Sequence, residues 1–177
     1  MANINISQGS FSKSPLDIVE QVVELNDWLF DRRNEKEIVV QVPGTWCDYS
    51  LYFAWNDEID AMLFTCAFDM RVADDQKQRL YKLLALVNER MWLGHFGLWS
   101  QDGLPMFRYA LPFRGARGPT TGQMENLVET AIIDCERFYP AFQYVIWGGK
   151  EAEDAITAAM IDIVAKETFG IDQGDVS

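Results

Sequence analysis

The chain has 177 residues, of which 49% are hydrophobic and 13% aromatic. That is enough apolar surface for one well-formed core, and it excludes an acidic disordered protein. Its 15 Lys plus Arg stand against 27 Asp plus Glu, a formal net charge of -12, so nucleic acid and anionic membrane surfaces are repelled and neither is expected as a partner. No apolar run approaches the roughly 20 residues of a spanning helix, and residues 1–14 lack the basic cluster and apolar centre of a signal peptide, so the expected location is the cytoplasm.

Residues 1–13, rich in Asn, Ser and Gln, are expected to be a flexible arm ahead of a single domain over residues 14–170. Ser14 is an N-cap, Pro15 sits at the first helical position and Asp17 lies in the favourable end of the dipole. Leu16, Val19, Val23, Val22, Leu25 and Leu29 extend an apolar stripe, which predicts a helix reaching about Arg33. The period then changes. Ile38, Val39, Val40 and Val42 stop at Pro43-Gly44, and alternating runs follow over 49–55 and 61–70, so three strands in a meander are expected.

Leu80, Leu83, Leu84, Val87 and Met91 restore helical spacing after Asp74 and Asp75, with a stop near Gly94. Strands over 96–100 and 106–113 flank Gln101-Asp102-Gly103, a hairpin signal. Thr120 and Gln123 form a capping box for a helix carrying Met124, Leu127, Val128, Ala131, Cys135 and Phe138. Pro140 is expected to kink or restart that helix and Gly148-Gly149 to end it. A last helix over 151–169 leads to an acidic tail, 171–177. Locally joined strands with helices between them imply an α+β fold, an antiparallel sheet with packed helices in the order α-β-β-β-α-β-β-α-α.

Asn88 at the end of Leu86-Val87-Asn88, the strand His95-Phe96-Gly97-Leu98-Trp99, the Asp102-Gly103 turn, the strand Phe107-Arg108-Tyr109 and the helix with Glu125 and Leu127 resemble the YbjN-like family of small bacterial proteins. The resemblance spans about residues 15–147. It implies a fold similar to type III secretion chaperones, often paired as a homodimer, in proteins often labelled sensory transduction regulators. It implies protein partners and carries over no catalytic residue.

The residues themselves offer little chemistry. His95 is the only histidine, so a Ser-His-Asp triad, a Cys-His dyad or a multi-histidine metal site has one residue to build on. An exposed or strand-edge structural histidine is expected, and a pocket near His95 and Arg108 is the alternative, serving a small-molecule sensor or an enzyme. Asp57, Glu58 and Asp60 match no EF-hand spacing and read as a solvated hairpin tip. Cys47, Cys66 and Cys135 are odd in number and widely spaced without a Cys-x-x-Cys pair, which suggests reduced, buried thiols and neither a disulfide framework nor a zinc ribbon. No metal or other cofactor is implied.

Two features point outward. Arg114-Gly115-Ala116-Arg117-Gly118 precedes a helix N-terminus, which makes Arg114 and Arg117 candidates for binding an anion, although the run lacks the ending of a P-loop and a mobile connector is the plainer reading. The strand Tyr49-Ser50-Leu51-Tyr52-Phe53-Ala54-Trp55 offers large apolar groups on both faces, more than a one-sided sheet needs. A covering surface is therefore expected: the final helix, a twin subunit or a client segment, with Tyr49, Tyr52 and Trp55 as candidate partner-binding residues. The function expected from the sequence is a non-catalytic protein-binding module, chaperone-like or a regulatory adaptor, that pairs as a homodimer.

Overall fold

The computed structural model describes residues 14–116 and 118–169, with side chains as far as Ile161. The expected arm over 1–13, the acidic tail and Arg117 lie outside the described residues. Helix α1 (Pro15–Leu25) opens on the expected Ser14 N-cap, and Asp17 completes it as a capping box: the Leu16 amide donates to Ser14 Oγ, and the Ser14 amide donates to Asp17 Oδ2 at 3.0 Å. Leu16, Val19, Val22 and Val23 are its buried face.

The helix does not reach Arg33. It ends at Leu25, Asp27 turns the chain with φ 56°, and Leu29–Asn34 form an edge strand, β1. Leu29 misled because it continued the helical spacing, yet it is 78% exposed. Asn26-Asp27 can adopt the left-handed turn that most side chains resist. In the strand, Arg32 reaches back to α1, pairing with Asp17 Oδ1 at 2.8 Å and with Glu20.

Strands β2 (Glu37–Pro43), β3 (Asp48–Asn56) and β4 (Ala61–Ala67) form the expected meander. A short turn of 3-10 helix, Asp74–Gln76, leads into α2 (Lys77–Asn88); β5 (His95–Trp99) and β6 (Leu104–Pro112) form the second hairpin; α3 (Thr121–Ile146) and α4 (Ala152–Phe169) complete the order. All six strands lie in one antiparallel sheet, in the spatial order β1-β2-β3-β4-β6-β5. The α+β class and the order of elements are those read from the sequence, with β1 added at one edge.

Burial alternates along the strands and names the core face. Ile38, Val40, Leu51, Phe53, Met62, Phe64 and Cys66 are essentially inaccessible, whereas the strand residues between them are not. All helices lie on that face: α1 against β2 and β3, α3 against β4, α2 against β5. Helix α4 forms a further layer on α2 and α3, burying Ala152, Ala155, Ile156 and Ala159, with Lys82 Nζ 2.7 Å from Glu153. It packs on the helices and so is not the cover expected for the second face of β3.

Both ends of the second hairpin are fixed by backbone geometry. Gly103 has φ +63°, and a Cβ there would lie 2.4 Å from the Val72 carbonyl oxygen, whose own amide donates to Gly103 at 2.8 Å. Asn88, the last residue of α2, does the work of a missing strand: its Oδ1 accepts from the Phe96 amide at 2.7 Å and its Nδ2 donates to the Phe96 carbonyl at 3.0 Å. The outer edge of β5 is thereby closed at Phe96, in the way sheets protect an edge from further pairing. Asn88→Ala should leave both groups of a buried residue unpaired and lower unfolding stability by about 1–3 kcal/mol, read from the urea midpoint; an unchanged midpoint would show that water replaces the side chain at no cost.

Candidate functional site

The face of the sheet opposite the helices is uncovered by any described element. Cross-strand register lays a row over it: Asp31, Val39, Tyr52, Thr65, Arg108 and His95 from edge to edge. A neighbouring row runs Glu37, Ala54, Leu63, Ala110. Most of these side chains are small or half-buried by their neighbours, so the surface is broad, shallow and largely apolar at its centre. At one corner the hairpin tip carries Ile59, 58% exposed, on a groove of about 580 Å³ lined by Ala54, Leu63 and Ala110 together with the polar Lys36, Asp57 and Glu58.

The three aromatic candidates on β3 separate. Tyr52 lies on the uncovered face. Its hydroxyl is pushed up to about 12, first by burial and then by its hydrogen bond to Glu37, whose carboxyl is held below its ordinary range by the same bond. Trp55 is on the helix side, half-buried, with its ring 6.1 Å from that of Phe113. Tyr49 is wholly inside, edge-on to Phe68. Its hydroxyl lies near the Glu136 carboxylate without a well-formed hydrogen bond, and burial, then that negative charge, raises its ionisation far above the ordinary range. The sequence reading passed over Ala54, Leu63, Thr65 and Ala110. The signal was there in the small residues at alternate positions of neighbouring strands, but their adjacency depends on register.

His95 is exposed at the start of β5, opposite Arg108 on β6; neither lines the groove at the hairpin tip. Asp57, Glu58 and Asp60 form a hairpin tip in which Lys36 pairs with Asp57 at 2.8 Å. Among the described residues no three His, Cys, Asp or Glu are arranged to hold a metal ion, and no helix is long and apolar enough to cross a membrane. Arg114 is exposed in the turn ahead of α3; Thr120 Oγ1 already accepts from the Gln123 amide at the helix start.

The 43–48 loop is latched to α3. Pro140 lies within α3 without dividing it; having no N–H, it leaves the Glu136 carbonyl without its helical donor. The Trp46 indole N–H donates to that carbonyl at 3.2 Å, the Thr45 amide donates to Glu136 Oε1 at 2.7 Å, and Trp46 stacks on Tyr139. Gly44 allows the close approach, since a Cβ there would lie 2.2 Å from the Tyr49 ring.

Residues 15–144, more than two thirds of the chain, match the sequence profile of YbjN, described as "putative bacterial sensory transduction regulator". The chain belongs to the YbjN family. Among solved structures, that of YbjN from E. coli, described as "a putative transcription regulator", is similar with a TM-score of 0.49 and 14% identity, covering 68% of this chain and 85% of that one. No curated protein matches the chain.

Tyr52 and Glu37 give the uncovered face a titratable feature. Because the folded carboxyl of Glu37 is lowered, its contribution to stability is present above the ordinary value of 4.5 and fades as pH falls through the folded value. Tyr52→Phe should raise the Glu37 ionisation toward 4.5, followed by carbon-detected NMR titration; an unmoved Glu37 would mean that the hydroxyl does not hold it.

Proposed function

We propose that this YbjN-family protein is a non-catalytic protein-binding module, a regulatory adaptor of the cytoplasm that engages other proteins through the uncovered face of its sheet. The breadth of that face carries the reading. Small side chains at Ala54, Thr65 and Ala110 alternate there with Tyr52 and Leu63, and a sheet or extended segment can pack on such a sheet face at about 10 Å and bury it. The description of the family as a regulator supports a binding role, and the net charge of -12 favours basic partners over nucleic acid.

The first occupant of the face is a second copy of the chain. Two-fold dimers are the commonest soluble assemblies, and a stable one buries roughly 1,200 to 2,000 Å² in total. Sedimentation should give a dimer for the wild type. Thr65→Arg, which sets a second cation beside Arg108 in the middle of the face, should give a folded monomer, while Tyr81→Arg on the exposed side of α2 should remain dimeric. A monomeric wild type, or a Thr65→Arg dimer, would remove the second copy as the occupant.

The non-catalytic reading is tested at the single histidine. His95→Ala should leave biological activity nearly unchanged when circular dichroism shows the fold intact. A folded variant without activity would restore the reading of a site at His95 and Arg108.

A further inference from the structure

The three cysteines, widely spaced in the sequence, converge in the fold. Cys66 Sγ, on the core face of β4, lies 3.5 Å from Cys135 Sγ on α3, and both residues are wholly buried. Cys47 sits half-buried in the latched 43–48 loop. Its thiol is raised first by burial, with Cys66 adding to the shift, and that of Cys135 is raised by burial and by Cys66. The pair therefore joins the sheet to the helix that covers it, behind a loop held by Trp46 and Glu136.

We propose that Cys66 and Cys135 form an oxidisable dithiol, which a small hydroperoxide converts to an internal disulfide that ties α3 to β4. Contact between the sulfurs supplies the proximity that makes the second step intramolecular. Burial selects the oxidant: a molecule close to water in size can enter when the loop opens, and a bulky disulfide reagent cannot. In the first step one sulfur attacks hydrogen peroxide, the O–O bond breaks, an S–O bond forms and one water leaves. In the second the other sulfur displaces that oxygen, the S–S bond forms and a second water leaves. Two thiols are oxidised by two electrons, the peroxide is reduced by two, and both thiol protons end in water. The cross-link closes a long stretch of chain, which stabilises the folded state by restricting the unfolded one.

Three measurements on the full chain test this. In the native protein a bulky aromatic disulfide reagent should titrate Cys47 alone, and all three thiols after denaturation. Hydrogen peroxide should remove two hydrogens from the intact mass, give a linked peptide containing Cys66 and Cys135, and raise the Tm in a way that dithiothreitol reverses. Cys47→Ser should keep the cross-link and Cys135→Ser should lose it; Trp46→Phe, which removes the indole hydrogen bond to Glu136 and so loosens the loop, should speed its formation without changing the residues joined. Linkage through Cys47, or separate sulfinic acids without a cross-link in folded Cys47→Ser, would overturn the proposal. The Cys47→Ser result and the peptide map decide the matter even if Cys135→Ser does not fold.

Discussion

The structure depends on a cluster of aromatic rings between the sheet and α3, centred on Phe68 and Phe96. Phe68 meets Tyr49, Phe96, Tyr139 and Phe142, and Phe96 meets Phe107, Phe138 and Phe142 as well, at centroid separations from 4.9 to 6.0 Å. Each buried ring is worth about 1.5–3 kcal/mol in transfer alone, and tilted or edge-on ring pairs add about 0.5–1.5 kcal/mol each. The cluster gathers residues from β3, β5, β6, α3 and the segment after β4, so it fixes the sheet order and the placement of α3 together. Asn88 completes it by holding the backbone of Phe96 while the ring enters the core.

A large one-sided core has a consequence on the other side. With α1, α2 and α3 committed to one face and α4 stacked outside α2 and α3, no described element is left for the second face. An antiparallel sheet can present such a face to water when it is polar. Here the central strands β3 and β4 present Tyr52, Ala54, Leu63 and Thr65, and the charged side chains Asp31, Glu37 and Arg108 stand on the strands to either side. That distribution resembles the plan of a binding surface, apolar at the centre and polar at the rim.

Helix α3 serves both the core and the loop beside it. Pro140 within a helix ordinarily costs about 3 kcal/mol or more, partly through the hydrogen bond it removes. The freed carbonyl of Glu136 instead receives the Trp46 indole, so the irregularity in one element becomes the anchor of another. The same stretch of α3 sets Cys135 against Cys66, placing packing, loop docking and thiol chemistry within two turns of helix.

Much of the architecture was legible in the sequence. The N-cap at Ser14, the capping box at Thr120, the alternation in β3 and β4, and the Asp102-Gly103 turn are local signals, and the structure uses each of them. The family resemblance rested on residues such as Asn88 and Phe96, whose contact explains why they occur together. The sequence alone also limited any triad, dyad or multi-histidine chemistry to what a single histidine can support. What it did not determine is set by non-local contacts. Leu29 fitted a helical stripe, and only pairing with Gln41 across the sheet edge made it part of a strand. Tyr49, Tyr52 and Trp55 looked alike as large aromatics, and only the position of the helices put Tyr49 inside and Tyr52 outside. Meetings such as Cys66 with Cys135, or Trp46 with Glu136, bring together residues far apart in the chain, and local propensity carries no information about contacts that tertiary packing alone creates.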